Sequence, residues 1–266
     1  MSSISLAREI DSLKDTTFKF SICTLVSNKE EYGEMIDSFI QAGFDPAFCE
    51  FIYADNCNGN KYDAYAGINS FLNEAKGRYI ILCHQDILLN HDKIDKLERC
   101  ISELDIKFPN WGLIGNAGGV NLARNASKIA TAKGKIYHEG PLPQEVQSLD
   151  ENFIIVKREA NIGASRDLRG FHLYGLDLCI HAHVLGYKAF IIDFLLTHKS
   201  YGNADQSFYD LKKIFLFKYS QVFAGRYIKT TITSLYLSGS TSLSYFANNK
   251  LVKRVAKFYH KFKIKT

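Results

Sequence analysis

The sequence predicts an α/β fold with a mostly parallel central sheet flanked by helices, followed by a basic helical extension. Three observations predict it. Apolar strand-like runs alternate with helix-length segments over the first two hundred residues, and such crossovers are long enough to join parallel strands. Several of these runs end in polar clusters carrying a carboxylate or histidine, at the edge where open α/β sheets hold ligands. The last acidic residue is Asp210, whereas residues 211–266 carry twelve Lys and Arg side chains.

With 266 residues, 46% of them hydrophobic, the chain can bury a large core. Only four prolines argue against a linker-rich chain. The six cysteines form no CxxC pair and several lie in apolar runs, which points to small core residues in a reducing compartment instead of a disulfide framework or zinc site. Ser2–Lys14 mixes apolar and charged residues and has no signal-peptide core, and no window approaches the roughly 20 apolar residues of a membrane span, so a cytoplasmic chain with at most peripheral membrane contact is expected. The net charge of +5 divides unevenly: the basic tail contributes +12 and the remainder −7.

Taken in order, residues 4–14 place Leu6, Ile10 and Leu13 at helical spacing. Phe18–Val26 (FKFSICTLV) reads as a first strand, closed by Ser27-Asn28, which can cap a helix over Lys29–Gly43. Cys49–Ala54 is a second strand ending in Asp55-Asn56, and Tyr62–Lys76 a second helix stopped by Gly77. Arg78–Leu89 (RYIILCHQDILL) is the centre of the chain: a strand over Arg78–Cys83, buried on both faces, breaks off at His84-Gln85-Asp86. A solvated turn is the plain alternative for that triplet. A helix around Lys93–Leu104 and a strand at Trp111–Ile114 follow, and GNAGG after it serves either a ligand or an ordinary loop. Residues 121–147 read as a long polar excursion, Phe153–Val156 as a strand, and Ala189–Leu196 as a final strand delivering Thr197-His198. Asp177 stands among apolar neighbours in a helical stretch, and a buried carboxylate needs either a partner or a task.

From Lys19 to Gly202 these pieces, in this order, resemble a GT-A glycosyltransferase, and within it the family 2-like bacterial polysaccharide enzymes. The resemblance implies that Thr24, Val26 and Ser27, with Asp55, bind the nucleotide, and that Asn69 is the family's asparagine on the helix before the metal strand. His84-Gln85-Asp86 stands where the family has DxD. His84 replaces the first acid, so His84 and Gln85 are placed with the donor and Asp86 becomes the metal ligand, completed by His198. It further implies that Asp150 in SLDENF lies near the donor sugar and that Asp177 in FHLYGLDLCIHAHVLGYK is the general base. The implied cofactor is a divalent metal, Mn²⁺ or Mg²⁺; histidine suits Mn²⁺, while Mg²⁺ prefers oxygen.

The implied reaction is inverting transfer from a nucleotide-sugar donor, a UDP-sugar, to a glycan or lipid-linked acceptor in bacterial surface polysaccharide synthesis. The rival reading, kept alive by the altered triplet, is an inactive GT-A domain serving as a membrane-associated scaffold. The expected domains are residues 1–204 and 205–266. In the second, bulky residues around Phe208–Phe223 call for burial against the first domain or a partner chain, which allows a homo-oligomer. Leu251–Ile264 is basic and amphipathic, the pattern of a helix on an anionic membrane or of a solvated helix in an oligomer. No nucleic-acid recognition motif accompanies the charge.

Overall fold

A computed structural model of the chain describes residues 16–200, 202 and 205–263, with side chains through Tyr259. The helix expected over residues 4–14 and the side chains of Lys261 and Phe262 lie outside them. The chain divides into two compact units between Leu211 and Lys212.

In the first unit, β1 (Phe18–Val26), α1 (Lys29–Gln41), β2 (Cys49–Asp55), α2 (Ala64–Glu74) and β3 (Gly77–Cys83) follow the expected order, and β1 pairs in parallel with β2 and β3. Asn28 caps α1 as its position predicts, its side chain accepting from the N–H groups of Glu30 and Glu31. The next elements are β4 (Ile87–Leu88), α3 (Ile94–Lys107) and β5 (Trp111–Gly115). Farther along come β11 (Phe153–Lys157), α4 (Tyr174–Val184) and β12 (Lys188–Ile191). β11 inserts antiparallel between β3 and β5, while β12 runs parallel to β5.

The polar excursion expected over residues 121–147 is not a loop. It contributes to β6 (Ala117–Asn121), β7 (Arg124–Thr131), β8 (Ile136–Glu139) and β9 (Gln144–Val146). These strands lack a readable pattern because little of them is buried, and every residue of β8 is exposed. With β9 antiparallel to β12, the central sheet runs β2-β1-β3-β11-β5-β12-β9, and five of its seven strands point the same way.

The single strand expected at Ala189–Leu196 is also corrected. β12 ends at Ile191, and Leu196–His198 forms β13 in a second sheet, ordered β10-β6-β7-β13-β4, where β10 is Ser148–Leu149. Polar contacts hold the break: Asp193 pairs with Lys96 and Lys128, each at 3.2 Å, and the Leu195 N–H donates to Asp92 at 2.6 Å. This switch of sheets lays β13 antiparallel to β4, with His198 opposite Ile87, one residue beyond Asp86.

β3 is buried as its sequence requires. Tyr79, Ile81 and Cys83 join Phe20, Ile22, Met35, Trp111 and Phe153 in the main core, and Ile80 and Leu82 are buried on the opposite face. Full burial of one such apolar side chain is worth about 1.5–3 kcal/mol, which makes β3 a rigid mount for the triplet at its end.

The second unit is not purely helical. Beyond α5 (Gln206–Val222), which crosses the unit boundary, lie β14 (Arg226–Lys229), β15 (Ser234–Leu237), α6 (Thr241–Ala247) and α7 (Lys250–Lys263). β14 and β15 form a hairpin with Tyr227 edge-on to Tyr236, and the Asn248 side chain holds both the N–H and the carbonyl of Tyr236. At four residues each, these strands are too short to announce themselves by alternation.

Candidate active site

Three side chains converge at the end of β3. His84, Asp86 and His198 each offer a ligand atom, and all three atoms lie within 4.8 Å of one another. His84 and Asp86 arrive directly from the strand, while His198 is brought by the β13–β4 pairing. His198 Nε2 lies 3.4 Å from Asp86 Oδ1, and Ser200 N–H donates to Asp86 Oδ2 at 3.1 Å. Burial pushes the Asp86 carboxyl up, but the hydrogen bonds from His198 and Ser200 outweigh it and hold the group well below the usual carboxylate range. Burial, and next the neighbouring His198, push His84 down, which favours the neutral imidazole that metals bind.

The donor set suits a divalent cation. The Tyr174 hydroxyl donates to the Glu151 carbonyl at 3.0 Å, so its contact with His84 Nε2, also 3.0 Å, must be donated by the imidazole. That tautomer leaves the His84 Nδ1 lone pair available, the arrangement in which an outer hydrogen bond orients a ligating histidine. Two imidazoles and one carboxylate match Mn²⁺ better than the all-oxygen preference of Mg²⁺. A cavity of about 590 Å³ opens beside Asp86, walled in part by Glu31, Leu88, Asn90, Thr131 and Lys199. That size falls in the range of small-molecule sites.

The other residues singled out in the sequence are distributed as follows. The Ser27 and Asn28 N–H groups both donate to Gln85 Oε1, at 2.8 and 2.9 Å, so Gln85 locks the β1–α1 turn against the triplet. Asp55 ends β2 opposite Val26, and a hydrogen bond from Lys29 lowers its carboxyl to about 2. Thr24 and Val26 are buried, and the Thr24 hydroxyl meets Met35 Sδ and Cys83 Sγ, so a nucleotide does not touch these side chains in this conformation. Asn69 clamps the backbone of Ala164 by a reciprocal pair of hydrogen bonds.

The general base expected at Asp177 is a correction. Its side chain has no exposure, Oδ2 accepts from Ser165 N–H at 2.7 Å and Oδ1 from Ser165 Oγ at 2.6 Å. A carboxylate so enclosed, with His181 Nε2 also 4.0 Å from Oδ1, anchors the chain before α4.

Asp150 acts electrostatically on His84, and its chain neighbour Glu151, a residue without a role in the sequence analysis, is coupled to Asp150 in turn. Asp150 is exposed and is fixed by the Asn152 backbone and side-chain N–H groups. Glu151 is partly buried and accepts from the N–H groups of Leu173 and Gly175 at the start of α4. Burial, and next the neighbouring Asp150, raise its carboxyl to about 7 despite those donors. Leu173 adopts φ 62°, a left-handed conformation that costs a non-glycine residue on the order of 1 kcal/mol or more and is tolerated where a site demands it. The signal in the sequence was the adjacent pair Asp150-Glu151; nothing marked Tyr174.

Two glycines set this loop. A Cβ on Gly118 would run into the Ser148 carbonyl, and one on Gly175 into the Leu149 carbonyl, so β10 is held between two side-chain-free backbones just before Asp150. Gly175→Ala is expected to destabilise the protein by about 1–3 kcal/mol, read from urea unfolding, whereas the same change at Gly33, which has open space around it, should cost nothing.

No family model matches the sequence. A Fuscovulum blasticum protein named "ATP synthase subunits region ORF 6" is 35% identical over 231 residues, spanning 85% of this chain and 93% of its own length. Among solved structures, the mannosyltransferase PcManGT from Pyrobaculum calidifontis, in complex with GDP-Man and Mn²⁺, matches with a TM-score of 0.51 at 14% identity, over 83% of this chain and 69% of its own. GalNAc-T7 with UDP, GalNAc and Mn²⁺ matches with a TM-score of 0.50 at 8% identity, over 69% of this chain and 44% of its own.

Proposed function

From a chain that belongs to the family of the Fuscovulum blasticum ORF 6 protein and has the GT-A fold of glycosyltransferases, we propose a sugar-transfer activity, with a nucleotide-sugar as donor and a glycan or lipid-linked molecule as acceptor. The observation that carries this reading is the cluster of His84, Asp86 and His198 at the end of β3, beside a substrate-sized cavity. These three residues would hold the divalent ion, Mn²⁺ by the donor set. When bound, such an ion neutralises the charge of a departing diphosphate as a Lewis acid.

The chain's own groups supply the rest. Gln85 pins the β1–α1 turn, which presents Ser27 and the Lys29–Asp55 pair along the same sheet edge as the triplet, and this edge is where the nucleotide is placed. Lys199, on the cavity wall and paired with Glu34 at 2.7 Å and Glu31 at 3.6 Å, is a cation that can turn from these glutamates to the diphosphate. The acceptor hydroxyl must lose its proton as it attacks the anomeric carbon, and Glu151 takes that role from Asp177: its carboxyl, raised to about 7, is matched to a base working near neutral pH. Asp150, exposed beside it, orients the donor sugar. A single base and direct displacement give inversion at the anomeric carbon. The donor is read as a UDP-sugar, and the product as part of a bacterial surface glycan.

Calorimetric titration of the purified chain with UDP and with GDP, each with and without Mn²⁺, tests the reading. Nucleotide binding is expected to tighten at least about tenfold with Mn²⁺, and Asp86→Ala should remove that gain because it removes the only carboxylate of the three ligands. No nucleotide binding under any of these conditions would return the domain to the scaffold reading.

A further inference from the structure

The last helix exposes an apolar row. Leu251, Val255 and Phe258 recur at helical spacing on α7 and are 69%, 70% and 64% exposed. Arg254 and Lys257 border this row on one side. Residues 212–266 contain twelve basic side chains and no acidic one, so nothing within that stretch neutralises the charge. Tyr245, just before α7, is also exposed, an aromatic residue of the kind that settles at the headgroup level of bilayers.

Charge complementarity selects the occupant of this face. A second copy of the tail would meet this face with the same excess of positive charge. Nucleic acid satisfies the charge but offers an apolar row no partner in a phosphate backbone. A bilayer rich in anionic headgroups supplies phosphates at the level of the lysines and acyl chains directly beneath. No helix among the described residues is long and apolar enough to cross a membrane, so the geometry is that of a helix lying in the interface plane.

We propose that α7 docks this protein on an anionic phospholipid surface, with Leu251, Val255 and Phe258 inserted below the headgroups and the bordering Arg254 and Lys257 facing lipid phosphates. The inference rests on the second unit alone and stands whether or not the first binds a nucleotide.

Co-sedimentation of the full chain with vesicles tests it, using pure phosphatidylcholine against equimolar phosphatidylcholine and phosphatidylglycerol. Each basic residue near an anionic surface strengthens binding up to about fivefold, so the anionic vesicles should bind the chain at least roughly tenfold more tightly than the neutral ones. Val255→Glu/Phe258→Glu should cut anionic-vesicle binding about tenfold or more, because charges replace the inserted side chains. Both positions are exposed, so the thermal melt should not move; if it does, Phe258→Ala is the substitute variant, with a severalfold loss expected. Equal binding to both vesicle types overturns the proposal, as does binding that survives these substitutions. Duplex DNA bound more tightly than anionic vesicles, or self-association abolished by Phe258→Ala without any vesicle binding, would do so too and would name the true occupant.

Discussion

Glu151→Gln is expected to lower turnover by roughly 10²- to 10⁴-fold, the range for loss of a positioned general base, while nucleotide and Mn²⁺ binding stay unchanged. The side chain is held by the N–H groups of Leu173 and Gly175, and glutamine keeps one acceptor oxygen for them, so the loop stays anchored while the proton acceptor is gone. In the wild type, turnover should rise with pH through about 7 as this carboxyl ionises. The same shift has a stability consequence of opposite direction. The folded-state value, about 7, lies above the usual glutamate value of 4.5, so the native state retains a proton that the unfolded chain has already released. Stability from this group is therefore present below 4.5 and lost as pH rises to about 7, by on the order of 2–3 kcal/mol. Urea unfolding of both proteins at pH 5 and pH 8 isolates the contribution of this carboxyl: the variant should lack that part of the wild type's decline. An unchanged turnover in Glu151→Gln would remove the residue from the chemistry.

Asp177→Ala is expected to cost about 3 kcal/mol or more of folding stability, one of the larger single-residue effects in the chain. The carboxylate accepts from both the backbone N–H and the hydroxyl of Ser165 in a fully buried position, and truncation removes both acceptors at once. Asp177→Asn keeps one oxygen and should cost less, about 1–2 kcal/mol. Turnover per folded molecule in Asp177→Asn should stay within a few-fold of wild type. A thousandfold loss with unaltered unfolding would instead restore Asp177 as the base.

These two residues show how far the linear order carried. Both are acids in an apolar context, and burial distinguishes them: Asp177 is enclosed by Ser165, twelve residues earlier, whereas Glu151 meets the start of α4, more than twenty residues later. Partners that distant leave no local pattern. His198 was identifiable as a histidine after a strand, but its approach to Asp86 depends on the chain leaving the central sheet after Ile191, a break held by the distant Lys96, Lys128 and Asp92.

The sequence by itself determined the α/β class, the parallel β1–β2–β3 core, the delivery of His84-Gln85-Asp86 to the sheet edge and the charge asymmetry of the tail. Each of these is written in local periodicity, in burial of contiguous apolar runs or in composition, which need no knowledge of distant neighbours. Only the tertiary structure decided that Asp177 is fully enclosed while Glu151 stays partly exposed, that His84 joins Asp86 and His198, and that the polar stretch after β5 is strand. Those outcomes depend on contacts between segments far apart in the chain, where a polar residue's role is set by what folds against it.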